Sequence, residues 1–187
     1  MQIPQNGRLT RIKNCQDKLL SANIAATVLT YSRSIFYFTG TTQPSAFVIT
    51  PEDYFLFVLR GFEQVLEETW IGVDNICSGS HLKDLRMLLK NRRIEDGFLG
   101  MELDVLPVTE YFKITEIFNK FDIIDISELI LNQRKTKEDC EIEYIRTACK
   151  IVHSGHVKAL EVLKEGVTEL SLSSEIENAH RKSGHEG

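Results

Sequence analysis

Basic residues never gather into a block in this chain, where 22 Lys and Arg face 27 Asp and Glu for a net charge of −5. Sequence-independent binding to nucleic acid or to an anionic membrane needs a dense cationic surface and is disfavoured. Cysteine is sparse as well: Cys15, Cys77, Cys140 and Cys149 are scattered, with no CxxC pair. That pattern suggests neither a zinc knuckle nor a disulfide framework. Cys15 and Cys149 fall on apolar helical faces, where a thiol behaves as a small buried hydrophobe. No apolar run reaches the length of a membrane span, and Met1 to Gly7 carries no hydrophobic stretch behind a positive flank, so the cytoplasm is the expected location. Glycine does not cluster either. Gly40-Thr41-Thr42 has one glycine and is no phosphate cradle. Ser32, Ser34 and Thr39 have no partner histidine at an interpretable spacing, which removes support for a serine hydrolase. Internal repeats and low-complexity segments are missing too.

What is present is a chain of 187 residues with 42% hydrophobic content, enough to bury a core in one domain or in one domain with an appendage. Leu9, Ile12, Cys15 or Gln16, Leu19 and Leu20 mark an opening helix, and Ile24 to Leu29 follows as a short apolar strand. Ser34-Ile35-Phe36-Tyr37-Phe38 reads as a second extended run, closed by Thr39-Gly40. In a strand, alternation sends Tyr37 to the face opposite its two neighbours. Ala46 to Ile49 and Tyr54 to Leu59 flank Thr50-Pro51-Glu52-Asp53, which is hairpin chemistry. Helices are then expected near Gly61 to Glu68, Leu82 to Asn91 and Pro107 to Phe118, with strands at Phe98 to Met101 and Ile123 to Ile126. Strands alternating with helices, plus one hairpin, predict an α/β fold with a mixed sheet covered on both faces. Trp70, after the acidic Glu67-Glu68, reads as an interface anchor or a core plug.

The last third is organised differently. Asn132 to Lys137 is polar and basic, and it separates the α/β part (1–131) from terminal helices (132–187). It reads as a solvated linker or, in a functional sense, as a place where Arg134 and Lys137 pin two domains through ion pairs. Thr136 can cap the next helix with Asp139 answering three residues on. Ile142, Ile145, Cys149, Val152, His156, Ala159, Leu160 and Leu163 then recur at spacings of three and four as one buried face. Gly166 stops that helix. Thr168 caps another, whose stripe is Leu172, Ile176 and Ala179, ending at Gly184. A helical pair this small cannot bury its stripes alone, so the covering surface lies in the preceding residues, in another subunit or in further sequence.

Several groups that carry potential chemistry have a plainer reading. His153 and His156, with Glu143 or Glu161 imagined beside them, lack a positioned third ligand, so the pair reads as structural. His185-Glu186 begins an HExxH pattern that the sequence does not complete. The paired acids Asp122 with Asp125 and Glu102 with Asp104 read as solvated loop carboxylates.

The run Arg134-Lys135-Thr136-Lys137-x-x-x-Glu141-x-x-x-Ile145-Arg146-x-Ala148, then Gly166-Val167-Thr168-Glu169 and Gly184-His185-Glu186-Gly187, resembles the creatinase/prolidase family of pita-bread metallopeptidases. It is similar to the junction where the amino-terminal domain of a prolidase or Xaa-Pro aminopeptidase meets its catalytic domain. Tyr31 to Gly40 (YSRSIFYFTG) resembles the strand and turn near the start of those amino-terminal domains. Order and spacing carry the match.

The resemblance implies a creatinase-like amino-terminal domain followed by the first helices of an incomplete pita-bread domain. It implies two divalent metal ions, manganese, cobalt or zinc, held by two aspartates, a histidine and two glutamates. All five come later in the family than any residue of this chain. No catalytic, metal-binding or cofactor-binding residue is therefore assigned here, and the chain alone is expected to be inactive. A homodimer is implied, in which Tyr37 and the Gly40 turn are candidates to form the interface or edge the neighbouring subunit's cleft, with Trp70 as a further candidate. His180 or His185 is placed near the substrate cleft. Short proline-containing peptides are the implied substrates of the whole protein. The alternatives are a non-catalytic binding module on the same architecture and a creatine-type amidinohydrolase; methionine aminopeptidases lack such an amino-terminal domain.

Overall fold

A computed structural model describes residues 5–185. The chain divides into two compact units, Met1–Thr136 and Lys137–Gly187.

In the first unit, the sheet takes its six strands in the order β4-β3-β2-β1-β5-β6, with β1 Ile24–Leu29, β2 Ser45–Ile49, β3 Tyr54–Val58, β4 Ile76–Ser78, β5 Gly97–Met101 and β6 Phe121–Asp125. β2 runs antiparallel to both neighbours, while β3 with β4, β1 with β5 and β5 with β6 pair in parallel. The β2–β3 hairpin forms where expected. Thr50 closes its turn, accepting the Asp53 amide on Oγ1 at 2.9 Å and donating its own amide to the Asp53 carbonyl at 2.9 Å.

Helices cover both faces, which is why β2 and β3 read as continuous apolar runs rather than alternating ones. On one face, Ile12, Cys15 and Leu19 of α1 (Gln5–Ser21) and Ile35 and Phe38 of α2 (Ser32–Thr39) pack on Phe47, Ile49, Leu56 and Val58. Val65 of α3 (Phe62–Glu68) and Ile130 of α6 (Ser127–Lys135) complete that layer. On the other, Leu85 and Leu89 of α4 (Leu82–Asn91) and Ile114 of α5 (Val108–Ile117) meet Ala46, Val48, Phe55 and Phe57. Burial pushes the Cys15 thiol up to about 12, a small offset coming from Lys18. This cysteine packs as a hydrophobe, whereas Cys149 is exposed, against expectation.

Two local expectations are corrected, and one strand is unforeseen. Ser34 to Phe38 is not extended but lies within α2, because burying Ser34, Ile35, Tyr37, Phe38 and Thr39 together is a helical pattern and Gly40 ends it with φ 86°. Asn132 to Lys135 is the last part of α6, anchored by buried Ile130 within the helix and by buried Ile126 just before it. β4, only three residues long, gives too little periodicity to be read from sequence.

The second unit is a helical hairpin of α7 (Asp139–Val162) and α8 (Glu169–Lys182). Glu138, not Thr136, caps α7, with its amide donating to Glu141 Oε2 at 3.0 Å in a reciprocal box. Thr168 caps α8 as expected, accepting the Ser171 amide at 3.2 Å. The expected buried face on α7 is largely open: Gly155 is its buried residue, while Val152 is 63% and Leu160 66% exposed. α8 packs on the Ser154–Gly155 side of α7, through Ser183 and His180, and leaves Val152 and Leu160 off that contact. Among the described residues no helix is long and apolar enough to cross a membrane.

Candidate functional site

β1 and β5 lie side by side and parallel, yet the chain leaves β1 toward β2 on one side and leaves β5 toward β6 on the other. Such a divergence opens a crevice at the carboxyl ends of the two strands. A cavity of about 540 Å³ sits there, bounded by Thr30 and Tyr31 after β1, by Glu102, Val105 and Leu106 after β5, and by Glu110 of α5.

Glu102 follows β5 directly and is 8% exposed. Ser34, in the first turn of α2, donates its hydroxyl to Glu102 Oε1 at 2.6 Å. The other oxygen, Oε2, is buried and has no hydrogen-bond partner among the described residues. Burial raises the carboxyl above its ordinary range. The Ser34 bond opposes that shift, nearby Asp104 adds to it, and Arg134 subtracts a little. The expectation of two solvated carboxylates thus holds for exposed Asp104 and fails for Glu102. It fails because the burial depends on α2, a helix in place of the expected strand, whose Ser34 closes over the carboxyl. Asp125, in contrast, is exposed and held below the usual carboxylate range. The hydroxyl of Ser127 is the leading cause, with the amides of Ser127 at 2.9 Å and Leu103 at 3.2 Å assisting against slight desolvation.

The second constellation is the carboxyl end of α2, where four carbonyls lack intrahelical partners. Gly40 turns left-handed and donates its amide to the Phe36 carbonyl at 2.9 Å. Arg11 Nη1 donates to the Tyr37 carbonyl at 2.8 Å, its guanidinium lying over the Tyr37 ring at 4.2 Å. Trp70 Nε1 donates to the Phe38 carbonyl at 2.8 Å. The Thr39 carbonyl accepts from Thr69 Oγ1 at 2.7 Å and Arg8 Nη1 at 3.3 Å. Two arginines therefore meet the negative end of the helix dipole. Tyr37, Gly40 and Trp70, the interface or cleft-edge candidates, stand together here. Tyr37 and Phe38 face inward and Phe36 outward. Beyond the turn, Thr41 Oγ1 and Gln43 Nε2 donate to the two carboxylate oxygens of Glu68 at 2.6 and 3.1 Å, which fixes the loop.

Arg134 occupies the last turn of α6 and is half-buried; Lys137 lies beyond the helix and is exposed. On α7, His153 and His156 are exposed. Glu143 pairs with Arg146, and Glu161 with Lys158 at 3.3 Å, so neither acid is drawn toward a histidine. His180 and His185 bring their rings within 6.1 Å of each other. The continuation of the HExxH pattern, Glu186, lies outside the described residues. Among the described residues no three His, Cys, Asp or Glu side chains are gathered so as to hold a metal ion.

Known proteins complete the picture. The family model described as the creatinase/prolidase N-terminal domain matches residues 11–136. The dipeptidase-assigned protein YkvY of Bacillus subtilis is 25% identical, aligned over 96% of this chain and 52% of its own length. A creatinase from a Bacillus species is 23% identical, over 89% and 42%. Among solved structures, an Xaa-Pro dipeptidase from Bacillus anthracis superposes with a TM-score of 0.84 at 23% identity, covering 96% of this chain and 50% of that one. The chain spans about half the length of the relatives it matches. A domain model that covers residues 11–136, on a six-stranded mixed sheet with helices on both faces, places this chain in the creatinase/prolidase family as a bearer of its amino-terminal domain.

Proposed function

We propose that this chain is the amino-terminal, dimerising and cleft-restricting part of a metal-dependent peptidase that hydrolyses a peptide bond next to proline in short peptides. The metal-binding half is carried by sequence outside these residues. The observation that carries the reading is coverage: the amino-terminal domain model matches this chain, and the relatives are about twice as long. The apolar residues of α7 that α8 leaves open, Val152 and Leu160 among them, support it as well. A stripe of that width needs an apolar partner, and the first layer of a catalytic domain supplies one. The domain boundary is set near Leu131 to Lys137, with Arg134 and Lys137 at the junction. Tyr37, Gly40 and Trp70 act by fixing the end of α2, so that outward Phe36 and the Gly40 turn face a second subunit or its cleft. The protein works in the cytoplasm.

Two measurements test this reading. The intact mass of the protein isolated from its source cells is expected well above that of this chain, with chelator-sensitive hydrolysis of Xaa-Pro dipeptides; a native mass equal to 21.4 kDa removes the peptidase role. The 187-residue chain itself is expected to show no such turnover with manganese, cobalt or zinc, and to self-associate in sedimentation. A clean monomer at high concentration counts against the dimerising role.

A further inference from the structure

We propose that α5 and the crevice beside it form a self-complementary surface on which a second copy of this chain docks about a two-fold axis. The inference rests on the dimerising role proposed above and names the face that carries it.

α5 is apolar on two sides. Ile114 and, just past the helix, Phe118 enter the core, whereas Val108 and Phe112 are 68% and 61% exposed. Residues four apart form one outward stripe, and a helix that is apolar on both sides is built to be covered on both. The Phe112 ring meets Tyr111 edge-on with centroids 5.9 Å apart, which holds this projection in place. Val105 extends the stripe toward the end of β5 and also lines the cavity of about 540 Å³ at the ends of β1 and β5. Projection and hollow therefore adjoin on one surface.

A second copy is the occupant this surface specifies. In an isologous pair each partner offers the same projection and the same hollow, so antiparallel pairing of the two α5 helices fills both at once. The hollow has apolar walls in Ile35, Leu59, Leu82, Leu106 and Ile114, suited to an aromatic anchor. A small molecule there would leave Val108 and Phe112 in water. The charges agree as well. Glu110 lines the hollow, no Lys, Arg or His among the described residues does, and Lys113 stands next to Phe112 on the projection. Within one chain these two pair at 2.7 Å and both remain about half exposed; across the axis, Lys113 of each copy answers the partner's Glu110. The outward face of α2 is thereby left to the cleft.

The test is sedimentation velocity of the full 187-residue chain over a wide concentration range, with melting temperature as the check on folding. The parent is expected to form a reversible dimer. Phe112→Asp, at an exposed position, is expected to raise the dissociation constant about thirtyfold or more, and Phe36→Asp to leave it unchanged. Glu110→Lys and Lys113→Glu separate pairing across the axis from pairing within the helix. Each variant alone sets like charges in both places and is expected to associate more weakly than the parent. Their equimolar mixture restores unlike charges across the axis only, and it is expected to associate more tightly than either component. A mixture no tighter than its components, or a folded Phe112→Asp that associates like the parent, overturns the proposal. Dissociation by Phe36→Asp in place of Phe112→Asp overturns it too but keeps the dimerising role, moved to α2. A monomeric parent removes both, and the peptidase reading is then decided by the native mass alone.

Discussion

His180 of α8 lays its imidazole edge directly over Gly155 of α7, so close that a Cβ on residue 155 would overlap the ring at Nε2 and Cδ2. Around this contact, Ser183 Oγ donates to Ser154 Oγ at 2.9 Å, and Ser154 Oγ donates to the Ile151 carbonyl at 2.7 Å. Small residues let the two helices approach, and one ring fills the gap. Gly155→Ala gains about 1 kcal/mol of helix propensity but must expel the ring, an overpacking cost of about 1 to 3 kcal/mol. A net loss is expected in urea denaturation, with reduced amide protection across both helices. Adding His180→Ala is expected to restore stability to Gly155→Ala, a non-additive pair. Gly155→Ala matching or exceeding the parent would show that the ring is not wedged there.

Gly40 is constrained twice. Its φ of 86° is left-handed, and a Cβ would run into Arg8, whose Cζ stands 2.9 Å from that position. The left-handed backbone alone costs an L-residue about 1 to 2 kcal/mol. Arg8 is buried and donates to the Thr39 carbonyl, so it cannot simply swing into solvent. Gly40→Ala is expected to lower stability by about 2 kcal/mol or more, read as a lower urea midpoint at unchanged slope. A loss below about 0.5 kcal/mol would mean that the turn adapts.

The end of α2 marks the division between what the sequence discloses and what it does not. Runs buried on both faces, such as Ala46 to Ile49 and Tyr54 to Val58, announce themselves because every residue is apolar. The Thr50 turn is local chemistry and equally legible. α2 is not, because its aromatic run favours strand by propensity, and the partners of its last carbonyls come from Arg8, Arg11 and Trp70, between 26 and 32 positions away. Glu102 inherits that opacity, since its partner Ser34 is 68 positions distant. On α7 both the periodicity of the stripe and the inability of so small a helical pair to cover it are legible; which side α8 packs on is not, because Ser154 meets Ser183 from 29 positions away and Gly155 meets His180.

Asp125 ties the end of β6 to the start of α6, accepting from Ser127 and Leu103. Its carboxyl is depressed in the folded protein, chiefly by Ser127, so its contribution to stability is present above the unfolded value, about pH 4. That contribution is lost as pH falls through the lower folded value. Asp125→Asn is therefore expected to be less stable than the parent at pH 7, by under about 1 kcal/mol for so exposed a group. The difference should close in acid. Denaturation midpoints taken between about pH 7 and pH 2 measure this; a gap that persists undiminished at the acid end would assign the loss to packing rather than to charge.

Glu102 has the opposite sign. Its folded carboxyl is raised, by burial first and by Asp104 further, against the pull of Ser34 and Arg134. A raised acid contributes stability below its unfolded value, near pH 4.3 or about there, and that contribution disappears as pH climbs through the folded value. Glutamine keeps the shape and an oxygen for the Ser34 hydroxyl but never ionises. Glu102→Gln should accordingly match the parent in acid, pull ahead as pH rises above about 4, and hold a constant lead once the parent carboxyl is fully ionised. Urea midpoints of the two proteins across that range provide the comparison. A parent that is the more stable partner at neutral pH would mean that the charge is already compensated within the fold. The expected result is a buried carboxylate that costs the fold stability wherever it is ionised.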